Sequence, residues 1–223
     1  MAEATLDRDE GLRCLVMGNS RRGKSTGINC ALRTWQPKVD AILIHDAKYR
    51  VPQYAHDAVI AHVGDFQPEH GGKIVEVHSQ PHVCDVDAVA TFALDASLQR
   101  MRTMVVVDEW VRALDGRAFI GGSTSPIARV LSEGGGLGIS LLGTIQIPQD
   151  APPKLLQLCD WQMIFQMEST SVRYVQRDLS LSDAAVTAIE TLQPGQFVLN
   201  ERGGGGWDGK VYVVPAEFVV KRA

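Results

Sequence analysis

No stretch of this 223-residue sequence approaches the ~20 consecutive apolar residues that a membrane-spanning helix requires. The longest apolar runs, Met104 to Val107 and Gly138 to Leu142, fall far short. The opening residues, MAEATLDRDEG, lack the basic-then-apolar order of a secretory signal, so the expected location is intracellular, or reached without secretion. The cysteines, Cys14, Cys30, Cys84 and Cys159, lack CxxC and CxxxC spacings, which argues against a zinc site or a disulfide framework and leaves reduced, mostly buried thiols. Positive charge is also short. With 22 Lys and Arg against 26 Asp and Glu, the net charge is -4, which excludes a protein that coats nucleic acid through bulk charge. Any contact with nucleic acid then falls to a local patch or to a channel shared between subunits. There is no internal repeat and no interdomain linker. A hydrophobic fraction of 45% and a charged fraction of 22% describe an ordinary globular chain, long enough to bury a core. Residues 1–223 are expected to form one domain, with a polar leader over 1–11.

Short apolar runs alternate with helix-compatible segments along the chain. Leu12 to Met17 reads as a buried strand entering a glycine-bearing turn. Lys24 to Trp35 reads as a helix ended by Pro37, and Val39 to Asp46 as a second strand. Strands follow at Val59 to Val63 and Lys73 to Val77, then a helix over Val86 to Met101 and a β-branched strand over Thr103 to Asp108. Ser123, Thr124 and Ser125 offer caps, and Pro126 a first position, for a helix to Ser132 that the glycines at 134, 135, 136 and 138 break. Gly138 to Gln146 and Trp161 to Glu168 read as strands separated by a helical segment at Lys154 to Cys159. Asp183 to Leu192 is helical, and Gln196 to Asn200 with Lys210 to Val214 form a hairpin within 196–214, joined by a glycine run read as a mobile loop. The alternation predicts an α/β fold, a mostly parallel sheet with helices on both faces.

Gly18-Asn19-Ser20-Arg21-Arg22-Gly23-Lys24-Ser25 matches GxxxxGK followed by Ser or Thr, between a predicted strand and a predicted helix. In that context the pattern is a phosphate-binding loop (P-loop): backbone N–H groups and the helix N-terminus face the phosphates, Lys24 reaches the β and γ phosphates, and Ser25 ligates Mg²⁺. Thr26 and either Arg21 or Arg22 are further candidates at the phosphates. Asp108 ends the hydrophobic strand Met104 to Val107 at its carboxyl end, where ligands of such sheets gather, and is the candidate second metal-side group. Glu109 points away from it and is the candidate that orients or deprotonates the attacking water. The NKxD signature of GTPases and the LSGGQ signature of transporter ATPases are missing, which favours ATP. A small-molecule kinase needs an Arg-rich lid, and Gly121 to Gly138 contains only Arg129.

Further segments carry a family resemblance. Ile44-His45-Asp46-Ala47-Lys48-Tyr49 resembles the D-P-K-G-E-Y stretch of the FtsK/HerA superfamily of ring-shaped DNA pumps. Gly138-Ile-Ser-Leu-Leu-Gly-Thr144-Ile-Gln146-Ile-Pro148 is similar to its G-I-x-L-x-x-A-T-Q-x-P strand, Trp161 to Arg177 to the strand and helix that follow, and Leu192-Gln-Pro-Gly195-Gln-Phe-Val198 to the closing L-x-P-G hairpin. The match spans roughly residues 12 to 215. It implies a RecA-like P-loop ATPase acting on double-stranded DNA as a ring, a hexamer by preference. It also implies a γ-phosphate sensor at Gln146 and support from Asp46 and Lys48. A bare ATPase domain of this size resembles the genome-packaging ATPases of membrane-containing, tectivirus-like double-stranded DNA viruses. That implies a virion vertex or the host cytoplasm as location and capsid-vertex or virion-membrane proteins as partners. The motor domain of a conjugation or chromosome-transfer ATPase, and a nucleotide-gated assembly component, remain as alternatives.

The sequence departs from the family where an arginine often precedes the G-I-x-L strand, since Gly135 stands there. The resemblance then leaves Arg173 as the candidate to act across a subunit interface, with Arg129 and Arg177 nearby. Arg112 and Arg117, within Trp110 to Gly122, are candidates for a loop that tracks a DNA backbone in a pore, although an ordinary connection reads as well. His78, His82 and Cys84 lack a fourth ligand at a usual spacing and are expected to lie in a loop.

Overall fold

The strand that leads into the glycine loop, β1 (Arg13–Met17), has no charged side chain beyond its first residue and is buried on both faces, so it lies inside the sheet and not at an edge. The computed structural model describes residues 10–46, 54–77, 86–114, 125–151, 153–202 and 206–218. In chain order the elements after β1 are α1 (Lys24–Trp35), β2 (Ala41–Asp46), β3 (Ala58–Ile60), β4 (Ile74–Val77), α2 (Val86–Leu98), β5 (Thr103–Asp108) and α3 (Trp110–Leu114). There follow α4 (Pro126–Glu133), β6 (Ile139–Ile145), α5 (Pro153–Leu158), β7 (Trp161–Phe165), α6 (Ser169–Leu179), α7 (Asp183–Thr191), β8 (Gln196–Glu201) and β9 (Gly206–Val213).

One 9-stranded sheet runs in the order β3-β4-β2-β5-β6-β1-β7-β8-β9. It is parallel from β3 through β7 and antiparallel across β7, β8 and β9, which confirms the mostly parallel α/β sheet with a C-terminal hairpin. Alternate strand residues feed two cores. On one face Val16, Ile44, Val106 and Leu142 pack with Ile28 and Leu32 of α1; on the other Leu15, Leu43, Val105 and Leu141 pack with α2, α4, α5, α6 and α7. Arg13 joins β1 to the start of β7 through a bidentate pair with Asp160, Nη2 to Oδ1 at 2.8 Å and Nε to Oδ2 at 3.0 Å. Cys14 and Cys159 are buried, and burial pushes the Cys14 thiol up to about 12 and raises that of Cys159 as well; Cys30 is only half-buried. No helix among the described residues is long and apolar enough to cross a membrane.

Several boundaries differ from expectation for identifiable reasons. α2 stops at Leu98 and not at Met101, because Arg100 adopts φ 60° and the chain closes a Schellman turn, with Met101 N–H donating to Ala96 O at 3.1 Å and Arg100 N–H to Ser97 O at 2.9 Å. An arginine thus fills the left-handed position where glycine is the usual signal. β9 begins at Gly206, with Asn200 opposite Trp207, so the later part of the glycine run is strand and not loop. The segment after β5 opens as helix α3, with Trp110 buried against β6, while residues 115–122 of the candidate DNA-tracking loop lie outside the described residues. A Cβ on Gly143 would stand 1.5 Å from the indole Nε1, so glycine is what lets the ring lie on the strand.

That contact yields a test. Gly143→Ala overpacks the Trp110 seat and is expected to lower the unfolding free energy by ~1–3 kcal/mol in urea melts. Combination with Trp110→Phe should recover part of the loss. Equal melts for Gly143→Ala and the parent would show that the indole does not sit there.

Candidate active site

Between β1 and α1 the backbone turns through Gly18 at φ 148°, Arg21 at φ 62° and Gly23 at φ 105°. A Cβ would lie 2.7 Å from that of Phe165 at Gly18 and 3.0 Å from Gly195 Cα at Gly23, so both positions exclude a side chain on space as well as on φ. Arg21 accepts the left-handed conformation at a cost of ~1–2 kcal/mol. The loop is held from three directions. Gly18 N–H donates to Ile145 O at 3.3 Å, Asn19 N–H to Gln166 O at 3.0 Å, and Gly195 N–H to Arg22 O at 2.9 Å. α1 then starts with no side-chain cap and no acidic residue of its own in its first turn, so the positive end of the helix is not offset from within the helix. Lys24, 9% exposed, folds over the loop, its Nζ donating to Gly18 O at 2.6 Å and Asn19 O at 2.8 Å.

Strand register supplies the opposite wall. Asp46 lies beside Asp108, and the pairing of Val107 with Gly143 brings Thr144 next to Asp108, all on the face that carries α1. Thr144 Oγ1 donates to Asp108 Oδ1 at 3.0 Å and accepts from Glu109 N–H at 2.7 Å. Glu109 sits at φ 56°, a left-handed non-glycine residue immediately after the strand, half-buried, its backbone fixed by the Thr144 bond. β6 lies between β5 and β1, so Gln146, one residue past β6, stands between Asp108 and the loop. Its Oε1 accepts from Ser20 Oγ at 2.9 Å, a direct link from loop to strand end.

These parts enclose a cleft of about 520 Å³, of the size of a small-ligand site. Of the residues expected from the sequence, Ser20, Arg21, Gly23, Lys24, Ser25, Thr26, Asp108 and Gln146 line it. Gly18, Asn19, Arg22 and Glu109 are outside the lining, and the first three act on it through the loop backbone. Arg173 is exposed on α6 and does not reach the cleft of its own chain. Arg129 pairs with Glu133 one helical turn away, and Arg177 lies against Asp178 and Tyr174. Arg112 belongs to α3. Lys48, His78, His82, Cys84 and Arg117 lie outside the described residues.

Tyr54 lines the cleft and was not foreseen. It is 1% exposed, and its hydroxyl donates to Asp108 Oδ1 at 2.6 Å. Burial, then the neighbouring Asp108 carboxylate, raises the phenol well above its ordinary range, so it stays protonated and remains a donor. No motif spacing marks it; the weak signal is one aromatic in a polar segment between strands. The donors near Ser25 and Asp108 are all oxygens, which fits Mg²⁺, an ion that takes oxygen ligands and keeps waters and substrate phosphates in most of its shell.

Lys24→Ala removes a charge-assisted contact worth ~1.5–3 kcal/mol. It is expected to weaken binding of a fluorescent nucleoside triphosphate about 10- to 100-fold, with an unchanged circular dichroism spectrum. Undiminished affinity would detach Lys24 from the phosphates.

No protein-family model matches the chain, and no curated protein matches it either. Solved structures do. The genome packaging NTPase B204 of Sulfolobus turreted icosahedral virus 2, in complex with sulfate, superposes with a TM-score of 0.71 at 15% identity, over 91% of this chain and 96% of that one. The same NTPase in complex with AMPPCP gives a TM-score of 0.69 at 14% identity, over 94% and 98%. The pCW3 conjugation coupling protein TcpA, in monomer form with ATPγS, gives 0.55 at 13% identity, over 93% of this chain and 62% of that one. At these identities the likeness is one of fold, and the fold is that of the P-loop NTPases which the sequence resembles.

Proposed function

We propose that the protein is an ATP-hydrolysing motor that moves double-stranded DNA as a homo-oligomeric ring, by preference a hexamer, and that its task is to package a viral genome into a preformed capsid. The observation that carries the hydrolytic part is the placement of Gln146 between the phosphate loop and the Asp108–Glu109 strand end. A nucleotide store needs the loop alone, whereas hydrolysis needs groups on the far side of the γ phosphate. The packaging part is supported by the higher structural likeness to B204, at a TM-score of 0.71, than to TcpA, at 0.55. The TcpA likeness keeps a DNA-transfer motor as the second reading.

In this reading the loop amides and Lys24 bind the β and γ phosphates of ATP. Ser25 and Asp108 hold Mg²⁺, which when bound offsets charge on the phosphate oxygens. Water attacks the γ phosphorus, the bond to the β-bridging oxygen breaks, ADP leaves, and Glu109 takes the proton of the water. Gln146 contacts the γ phosphate or the attacking water, and its link to Ser20 couples that contact to the loop. Arg173 enters from a neighbouring subunit, where a trans-acting arginine is worth ~10³- to 10⁵-fold in rate. Asp46 supports Asp108 from the adjacent strand. Capsid-vertex or virion-membrane proteins are the partners, and the location is the packaging vertex of the virion or the host cytoplasm.

The test is steady-state ATP hydrolysis by the parent and by Glu109→Gln, each with and without linear double-stranded DNA, with light scattering to report assembly. Stimulation by DNA that Glu109→Gln abolishes by ~10²-fold or more, with nucleotide binding retained, is the expected result. Hydrolysis indifferent to DNA at every concentration would overturn the motor reading.

A further inference from the structure

Tyr54 is held far more elaborately than a lining residue requires. Ser25, Asn29 and Arg33 fall four residues apart on α1 and so share one face of the helix. The segment Tyr54 to Asp57 runs against that face. Ser25 and Tyr54 line the same cleft, Ala55 N–H donates to Asn29 Oδ1 at 2.9 Å, and Arg33 Nη1 donates to Asp57 Oδ1 at 3.0 Å. Other elements grip the same residues. His56 Nδ1 lies 2.8 Å from Glu76 Oε2 on β4, and Asp57 also accepts from Gln36 Nε2 at 2.9 Å and from Ile74 N–H at 2.9 Å. Each residue of this strap is thus tied to the helix that begins at the phosphate loop, to a neighbouring strand, or to both.

The outcome is that one buried hydroxyl bonds the Asp108 carboxylate assigned to the metal, in the cleft that Ser25 also lines. Its bond to Asp108 Oδ1, at 2.6 Å, has the short length of a hydroxyl bonded to a carboxylate. With Thr144 Oγ1 donating to the same oxygen at 3.0 Å, two donors on different elements fix the rotation of the Asp108 carboxylate. We propose that Tyr54 is a positioning residue for the metal–nucleotide complex, its hydroxyl holding the Asp108 carboxylate in the orientation that receives Mg²⁺ beside Ser25. This rests on the reading of the cleft as a Mg²⁺–ATP site. Partners one shell removed from a metal typically contribute 10- to 100-fold to its affinity. Because the strap fixes Tyr54 independently of any ligand, the hydroxyl stays in place when nucleotide binds and does not yield its position.

The test uses Tyr54→Phe, which keeps the ring and removes the oxygen. Affinity for a fluorescent ATP analogue is measured in excess EDTA and across a Mg²⁺ titration, with the thermal unfolding midpoint recorded alongside. The expected result is metal-free affinity within about twofold of the parent, and a Mg²⁺ midpoint raised about tenfold or more. Hydrolysis should return toward the parental rate at high Mg²⁺. An unchanged Mg²⁺ midpoint would overturn the proposal while leaving the site reading intact. A lower midpoint would also overturn it, by showing that the hydroxyl competes with the metal. Equal loss of metal-free and metal-dependent affinity would reduce Tyr54 to a structural role in the cleft wall. If the parent itself bound nucleotide no better with Mg²⁺ than without, the reading of the cleft would fall, and the role of Tyr54 with it.

Discussion

The register of four neighbouring parallel strands decides whether this molecule has a site at all. β2, β5 and β6 must align so that Asp46, Asp108 and Thr144 fall in one row, and β6 must meet β1 so that Gln146 ends beside the loop. Side chains alternate with a period of two along a strand, so a slip by one residue would send Asp108 to the face of α2 and α4 and bring Val107 toward the phosphates. What forbids the slip is burial on both sides. β5 exposes no residue; its Val105 and Val107 serve one core and its Met104 and Val106 the other. The hydrophobic order of the sheet and the chemistry at its end are therefore one constraint.

Trp110 extends that constraint past the strand. Its ring lies on Gly143, one residue before Thr144, and Thr144 in turn accepts from Glu109 N–H. Glu109 is thereby fixed on both sides, by the buried ring that follows it and by the hydroxyl of the adjacent strand, which is how a left-handed glutamate is maintained. The strained residue and the small residue across from it belong to a single packing solution.

Much of the fold was legible because the signals were local. α1 spans Lys24–Trp35 as read, since the loop motif fixes its start and Pro37 its end, and β5 spans Thr103–Asp108 because no polar residue interrupts it. The phosphate loop and the carboxylate at the strand end were legible for the same reason: their chemistry is written in consecutive residues. The misses came where a distant partner decides the outcome. Arg100 ends α2 without glycine, and Gly206 and Trp207 become strand because Glu201 and Asn200 pair with them. Trp110 looked like part of a loop until Gly143 provided a seat. Tyr54 was invisible in the sequence because its role depends on α1, β4 and β5 meeting around it, and no spacing rule encodes a meeting of three elements.

The bond from Gly195 N–H to Arg22 O joins a loop made early in the chain to a turn made near its end. Contacts of such sequence separation form late, after most loop-closure entropy has been spent. The α7–β8 turn must therefore arrive before the phosphate loop has its full set of backbone bonds. Most of the sheet lies in sequence between the glycine loop and Gly195, so the bonds that hold the loop are not completed in its own neighbourhood. The phosphate loop gains this last backbone bond only once Gly195 is in place, so a chain that stops short of it carries the sequence of the site without its full support.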